Sequence, residues 1–509
     1  MKSVATFLFD ELKQATNGAW TVNNFVNNEY LNNAIAISTD SRTFTGKNNS
    51  CQLFIAIRGE IFDGHSFVEK LINQGIFAVC VDEKFYHEKS TYFNTLTNKI
   101  AILVVQDTTQ AYLDLAKFYC QKLKDNNNLK IIGITGSCGK TSTKEMLKSI
   151  LENAFGITKV YATIKNTNNH IGVPQNILNM EKDTKVAILE LGTSAPGEID
   201  RLANCCRPEI AIITMIGHGH LEELKSIAGV AEEKSDIFKY MNEQCFAVIP
   251  ANCNEKDIVL KKLAVTKAQT IEFSNSITAN VSIFGSIIDQ NIYGSNIEIS
   301  KINQNKNITN FKCLLPFQGE HQLSNALAAC AVAYILNIND KIIAQGLTSS
   351  HNVGMRMNIT ENKSHNITII NDAYNANFES MTASIKWLND LLISPSYEKF
   401  HCFMALGDML ELGEKSVHLH KIIILELLKN ITNERIPRSK IYLIGDKFQE
   451  SLQKCHLDSN IANSIKTFPN SEIAQKEIAK DLYNTPQEKV LFLKGSRGMK
   501  LELIEEYCK

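Results

Sequence analysis

The chain has 509 residues, 44% hydrophobic and 21% charged, a globular composition that is too long for one ordinary core and suggests about three domains. Its 53 basic and 54 acidic residues leave a net charge of −1, which carries no polyelectrolyte signal for nucleic acid or an anionic membrane. Thirteen cysteines without CxxC spacing exclude a disulfide framework and read as reduced thiols of a cytoplasmic protein. No uncharged run is long enough to span a membrane, and Asp10 and Glu11 interrupt the short apolar patch at the start, so neither membrane insertion nor a signal peptide is expected.

In chain order, Ala34–Thr39 and Cys51–Ile57 read as strands and His65–Gln74 as a short helix. Phe77–Val81 and Ile100–Val105 read as further strands, and Thr108–Leu123 as a helix with Leu113, Ala116, Tyr119 and Leu123 in register. The polar run Lys124–Asn128 reads as a linker. The segment STDSR ends at Ser41-Arg42, between the first two strands, and RGEIFDGHSF spans Arg58 to Phe67. Ser41 and Arg42 can make an anion fork, because guanidinium pairs with phosphate oxygens; on these residues alone a solvated turn is favoured.

The most informative stretch is Lys130–Ile150, KIIGITGSCGKTSTKEMLKSI. A buried strand (Ile131, Ile132, Ile134) leads into Gly136, Ser137, Cys138, Gly139, Lys140, Thr141 and Ser142, and a helix follows with Met146, Leu147 and Ile150 at helical spacing. Strand, glycine turn, Lys-Thr and helix make a phosphate loop: glycines let backbone N–H groups converge on one anion and the helix N-terminus adds its dipole. Lys140 would reach the β/γ-phosphates and Thr141 would put a hydroxyl on Mg²⁺. The usual glycine five residues before Gly139 is Ile134 here, so the loop is a compact variant.

Strands at Ile157–Tyr161, Val186–Gly192, Ile210–Ile216, Phe246–Pro250 and Thr270–Phe273 alternate with helices near Val173–Met180, Gly197–Ala203, Glu222–Tyr240 and Glu255–Leu263, which means a parallel sheet covered on both faces. Ligands of such sheets sit at strand carboxyl ends. There stand Glu190, the GHGH segment Gly217 to His220, and Asn166, Asn168 and Asn169. Alone, Glu190 reads equally as an ion-pair carboxylate; beside a phosphate loop it reads as a metal ligand. His218 and His220 at i,i+2 raise zinc, but no Cys or third His has matching spacing. Residues 276–313 read as antiparallel strands at an edge, and Gly319–Leu336 as an apolar helix with His321 and Asn325 on one face.

From about Thr348 a second α/β pattern begins, with strands at Thr368–Ile370, Cys402–Leu406, Ile441–Ile444 and Val490–Leu493. Each ends in a polar turn: Asn371-Asp372, Gly407-Asp408, Gly445-Asp446 and Gly495-Ser496-Arg497. No GxGxxG follows them, so the pattern suggests a lid that closes on the nucleotide rather than a dinucleotide site.

TGSCGKTSTKEML, NTNNHIGVPQNIL, ELGTSAPGEID, HLEEL followed by EEKSDIF, GEHQLSNALAA, NDAYNANFESM and LGDMLELGE, in this order over nearly the whole chain, resemble the ATP-dependent Mur ligases. DAYNAN and LGDMLELG resemble the branch that adds a D-alanyl-D-alanine dipeptide. The resemblance implies an α/β chain of three domains: a nucleotide-sugar-binding domain over 1–126, a central P-loop-type parallel-sheet ATPase domain over 127–346, and a Rossmann-like α/β domain over 347–509. It implies that ATP phosphorylates the carboxylate of UDP-MurNAc-tripeptide and that the amine of D-Ala-D-Ala attacks the acyl phosphate, in the cytoplasm, by a monomer. Under it, Lys140, Glu190, His220 and Lys234 are catalytic, and Thr141, Glu190, His220 and Lys234 hold magnesium, Lys234 as a carbamate. Gly136 to Ser142, Asn325, Arg356 and Asp372 hold ATP; Ser41, Arg42, Asn375 and Asn377 meet the other substrates. Periodicity alone would make Lys234 a solvated helix lysine.

Other amide ligases of the superfamily fit less well: STDSR argues against folylpolyglutamate synthases and DAYNAN against the ligase for the third residue. A nucleotide-driven switch would hydrolyse ATP without ligation, and a scaffold would not need Lys140, Glu190, His220 and Asp372. The chain departs from the family pattern at Pro250-Ala251-Asn252, where an Asn-x-Asp pair is usual, and at His321-Gln322, where His-Asn is usual. Cys138 sits among helix N-terminal amides, where thiols can be activated, and reads about equally as an inert loop side chain. Alkylating agents are expected to inactivate the protein, ATP to protect it, and a Cys138→Ser variant to resist; equal inactivation of that variant would discard the expectation.

Overall fold

The computed structural model describes residues 2–21, 33–44, 51–59, 62–96, 100–277, 281–302, 307–352, 354–431, 438–456 and 464–509, the side chains of 2, 430 and 431 excepted. Among the described residues the strands form three sheets. The chain divides into two compact units, one of Met1–Gly133, Phe155–Gly192 and Glu198–Glu209, the other of Ile134–Ala154, Thr193–Gly197 and Ile210–Lys509. Among the described residues no helix is long and apolar enough to cross a membrane.

The first unit holds a six-stranded sheet of β1 (Lys2–Phe7), β2 (Ala19–Trp20), β3 (Ile35–Ser38), β4 (Gln52–Ile55), β5 (Ala78–Asp82) and β6 (Ala101–Val105), in the order β1-β3-β4-β5-β6-β2. The inner strands β3 to β6 run parallel and β1 and β2 pair antiparallel at the edges. Every residue of β3, β4 and β5 is buried, as a sheet covered on both faces requires. The apolar patch at the start of the chain is β1 and the helix Phe9–Thr16 behind it. The expected linker at Lys124–Asn128 is instead the last turn of a helix, Thr108–Asn127. Asp107 caps its start by accepting from Thr109 and Gln110 N–H, Lys124 lies in its last turn, and Asn128 ends it in the left-handed conformation. Glu60 and Ile61 of the RGEIFDGHSF segment lie outside the described residues.

β7 (Lys130–Thr135) carries the division between the units in its middle, while β8 (Val160–Ala162) and β9 (Val186–Glu190) pair in parallel in the first unit. The strand expected from Ile157 starts later because Ile157–Lys159 form a 3₁₀ turn. In the second unit β10 (Ile210–Ile213), β11 (Phe246–Pro250), β12 (Gln269–Ser274) and β13 (Ile283–Asn291) run parallel, and β14 (Gly294–Ile302) and β15 (Ile308–Leu315) extend them antiparallel to the edge. The alternation over 276–313 therefore does mark antiparallel edge strands, with 278–280 and 303–306 outside the described residues. The expected single helix Glu222–Tyr240 is broken: Lys225 has φ +66°, and Ser226 starts a new helix, Ile227–Ser235, by accepting from Gly229 N–H.

Helix Glu320–Ile335 packs on β11, β12 and β13, and its Ala- and Leu-rich stretch Ala326–Ala333 is fully buried. The last sheet has the order β16-β17-β21-β18-β19-β20, built from β16 (Asn358–Asn362), β17 (Ile367–Asn371), β18 (His401–Gly407), β19 (Ser439–Ile444), β20 (Ile465–Phe468) and β21 (Lys489–Lys494). All but β16 are parallel. The two unexpected strands, β16 and β20, are the edges; their half-exposed residues carry no apolar run to read.

Gly346, in helix Asp340–Thr348, lies against the backbone of Ile150, and a Cβ there would overlap the Ile150 Cα. A Gly346→Ala variant should lose about 1–3 kcal/mol through overpacking, read as a lower midpoint of chemical denaturation; an unchanged midpoint would show that the two helices can part without loss.

Candidate active site

The phosphate loop follows β7 and opens the helix Lys140–Phe155. Ile134, where a longer loop would carry glycine, is a fully buried residue of the strand, so the turn begins only at Gly136. Gly136 and Gly139 have φ of +153° and +88°, and a Cβ on either would strike a side-chain oxygen: Thr214 Oγ1 for the first, Asn325 Oδ1 for the second. Side chains at these positions are excluded twice, by conformation and by space. Ser137 N–H donates to Met215 O at 3.0 Å, and Ser137 Oγ accepts from Gly217 N–H at 3.0 Å. Lys140 Nζ folds back to Gly136 O at 2.5 Å, so the ammonium hangs over the loop. Asn325 Oδ1 accepts from Thr143 Oγ1 at 3.3 Å, and Asn325 Nδ2 donates to Gln322 Oε1 at 3.0 Å. Gln322, the departure from His-Asn, thus orients the asparagine that crowds Gly139.

The last sheet reaches this loop from the other side. Arg356 Nη2 donates to Thr141 Oγ1 at 3.2 Å, and the Arg356 guanidinium stacks over Tyr374, 4.3 Å from the ring centroid. Asn377 caps helix Phe378–Ile393 by accepting from Ser380 N–H, and its Nδ2 donates to Ser137 O at 3.2 Å. Asn375 is exposed and its side chain accepts from Ala376 N–H. Asp372 accepts from Lys494 Nζ at 2.5 Å and from Ser384 Oγ at 2.9 Å, so it is anchored to the end of β21. Asp408, one of the polar strand ends, caps the helix Asp446–Gln453 after β19 instead, taking bonds from Lys447 and Phe448 N–H.

His220 sits in the left-handed region at φ +56°, and its Nδ1 pairs with Glu411 Oε2 at 2.7 Å, a bond that holds the Glu411 carboxyl below its usual pKa. Lys234 is not a solvated helix lysine: it is 1% exposed. Burial pushes its pKa well below the usual lysine value, and the charge of Lys140 pushes the same way. Its neighbour Glu233 accepts from Thr193 Oγ1 at 3.0 Å and Gly197 N–H at 2.6 Å.

A cavity of about 790 Å³ adjoins the loop, lined among others by Gly139, Asn254, His321, Asn325 and Trp387. Asn254 donates to Ile216 O at 2.8 Å. Burial lowers the His321 pKa to about 4, so the imidazole is neutral at pH 7.

In the first unit, Glu190 ends β9 with 1% exposure, and its N–H donates to Thr163 Oγ1 at 2.9 Å. Asn169 Oδ1 turns the chain by accepting from Ile171 and Gly172 N–H. Arg42 is 88% exposed and its fork is already matched by Asp40, with Nε–Oδ1 of 2.9 Å and Nη2–Oδ2 of 3.0 Å. The bond from Arg42 holds the Asp40 carboxyl at about 2. Among the described residues, no group of three or more His, Cys, Asp or Glu gathers as a metal site. Taken singly, the hydroxyl of Thr141 and the carboxylate of Glu190 are hard oxygen donors of the kind Mg²⁺ takes.

Residues 134–333 match the Mur ligase middle domain. The UDP-N-acetylmuramoyl-tripeptide–D-alanyl-D-alanine ligase of Buchnera aphidicola subsp. Baizongia pistaciae is 35% identical over 499 residues, covering 97% of this chain and 96% of that protein. The chain belongs to the UDP-N-acetylmuramoyl-tripeptide–D-alanyl-D-alanine ligase family. The Bacillus subtilis ligase of the same name is 32% identical, with 92% of each chain covered. The crystal structure of MurF from Acinetobacter baumannii has a TM-score of 0.80 at 28% identity, covering 99% of this chain and 98% of that one.

Of the residues singled out in this family member's sequence, Lys140, Thr141, Asn325, Arg356 and Asn377 meet at the phosphate loop, and His220 and Lys234 belong to the same unit. Ser41, Arg42 and Glu190 belong to the other. Tyr374, Glu379, Glu411 and Lys494 were not singled out. The first three lie inside the DAYNANFESM and LGDMLELGE stretches, which signalled their neighbourhood but not their partners; Lys494 carried no signal beyond a strand end.

The unfolded chain takes a proton on His321 near pH 6.5 that the folded imidazole refuses until about pH 4. Stability should therefore fall as pH drops through that window, and His321→Asn should remove part of the slope of denaturation midpoint against pH; identical slopes would place the imidazole in water.

Proposed function

We infer that this chain joins D-alanyl-D-alanine to UDP-N-acetylmuramoyl-tripeptide with ATP, a cytoplasmic step of peptidoglycan precursor synthesis. The terminal carboxylate of the tripeptide takes the γ-phosphoryl group and ADP leaves. The dipeptide amine then attacks the acyl carbon, the amide forms, phosphate departs and the amine proton is released. The observation that carries the reading is the Arg356–Thr141 contact: a guanidinium stacked on Tyr374 of the DAYNAN segment meets the hydroxyl beside the phosphate-loop lysine. A phosphoryl group in transit has its charge spread over three oxygens, and catalysis is mostly positioning and charge stabilisation. Lys140 from one side and Arg356 from the other suit that task.

The remaining groups take roles as follows. Gly136–Ser142 offer backbone N–H groups to the phosphates, Asn325 and the cavity beside it take the adenosine side, and Asp372 holds the nucleotide from the last sheet. Thr141, Glu190 and His220 would hold Mg²⁺, with Lys234 toward a second ion; bound, the cation neutralises phosphate charge. Lys234 would serve as a carbamate. A buried neutral amine is the form that adds to CO₂, and loss of one proton leaves an anion in place of a cation. Ser41 and Arg42 lie on the nucleotide-sugar side and Asn375 and Asn377 on the dipeptide side. We take the domains as 1–126, 127–346 and 347–509, and the working unit as a monomer.

Phosphate release should require both a UDP-MurNAc-tripeptide and D-Ala-D-Ala; release with ATP alone would make the chain a nucleotide-driven switch. A panel of tripeptides with lysine or diaminopimelate third identifies the acceptor. Lys234→Ala should lose activity on the order of 100-fold or more and added bicarbonate should not restore it, whereas activity near the parent would remove the carbamate.

A further inference from the structure

The segment after β10 and the start of helix Phe378–Ile393 hold each other through a hydrogen-bonded pair outside the roles above. Glu379 Oε1 accepts from His218 N–H at 2.9 Å and pairs with His218 Nδ1 at 2.5 Å. The His218 ring stands edge-on to Phe378, with centroids 5.1 Å apart. Both side chains are mostly buried, 18% exposed for His218 and 17% for Glu379. Glu379 Oε2 is buried with no hydrogen-bond partner. One carboxylate oxygen takes both bonds from His218 while the other is left dry, so the partner across the gap, not the glutamate's own helix, sets its place.

Gly217 records the same constraint. A Cβ there would fall on the Glu379 carboxyl. Gly217 is not among the positive-φ residues, so its backbone is open to any side chain. The glycine is required by the carboxylate and not by the turn. Around the pair the bonds close a ring: Ser137 Oγ accepts from Gly217 N–H, and Asn377, two residues before Glu379, donates to Ser137 O.

We propose that His218 and Glu379 form a latch that seats the last sheet's helix on the phosphate loop and thereby positions the Arg356–Tyr374 pair at Thr141. Both are positioning residues for phosphoryl transfer; what they position rests on the ligase reading. The ring Ser137–Gly217–His218–Glu379–Asn377 fixes the start of the helix that follows the DAYNAN segment, and Tyr374 of that segment carries the guanidinium. A displacement of about 1 Å at a reacting group can reduce rate on the order of 100-fold, so a latch of two bonds has leverage on catalysis well beyond its share of stability.

The test uses the full chain with His218→Ala, Glu379→Ala, Glu379→Gln and Gly217→Ala, alone and combined. With thermal midpoints matching the parent, His218→Ala and Glu379→Ala should each lower kcat/KM for ATP about ten-fold or more. The double variant should lose no more than either single one, because the two act as a unit. Glu379→Gln keeps an oxygen for His218 N–H and should recover most of the loss. Gly217→Ala should impair the parent but be neutral beside Glu379→Ala, where no carboxyl remains to be struck. Additive losses, unchanged kcat/KM, or equal harm from Gly217→Ala in both backgrounds would overturn the latch. Hydrogen exchange at the His218 amide needs no turnover: it should be protected in the parent and exposed in Glu379→Ala, and equal protection would overturn the proposal. A parent inactive with both substrates would sink the ligase reading alone, leaving exchange to decide the latch.

Discussion

The constraint on which the rest depends is the lack of room at the two glycines of the phosphate loop. Gly136 is pressed against Thr214 and Gly139 against Asn325, both at positive φ. Because neither carries a Cβ, the chain turns within a few residues from the core strand β7 into the helix at Lys140, with the Ser137 N–H donating to Met215 O. Asn325 is held in turn by Gln322 and Thr143, and Thr214 Oγ1 is bonded to Cys138 O. The anion site is thus shaped by side chains from β10's end and from the helix Glu320–Ile335, not by the loop alone.

Charge burial is the second determinant. Lys234 has no place in a protein interior unless its neighbours change its chemistry, and they do: desolvation and Lys140 both disfavour its proton. Lys140 instead reaches the Gly136 carbonyl of the loop. The division of labour between the two lysines follows from where each is buried. One is suited to hold an anion, the other to become one.

Much of this was legible in the chain. Alternating apolar strands and helices marked the parallel sheets, because buried β strands need continuous Ile, Val and Leu, and β11 matches its expected span residue for residue. Glycine and Lys-Thr spacing marked the loop. What could not be read shares a physical cause. β16 and β20 are edges whose residues are half in water, so no apolar period exists to find. The polar run at Lys124–Asn128 looks like a linker, yet polar residues serve equally well on the outer face of a last helical turn. The break at Lys225 depends on a left-handed residue that is not glycine, which composition does not announce. Lys234 carried the period of a solvated helix residue because helix Ile227–Ser235 is covered on the face it uses.

Partners across long separations were the least legible, and they decide how the site is closed. Arg356 lies 215 residues from Thr141, and Asn377 lies 240 from Ser137. Nothing local in either segment encodes the match; it arises because parallel strands place their carboxyl ends together, so two sheets with that topology present polar turns where each can meet the other's. The structural uses of those turns then sort the candidates. Asp408 is committed to capping the helix after β19 and Asp372 to Lys494, whereas Arg356 is steadied by a ring that asks for no hydrogen bond in return. Stacking fixes the plane of the guanidinium and leaves its N–H edge to the phosphate loop, where it meets Thr141, and that combination sets Arg356 apart from the capped and ion-paired turn residues.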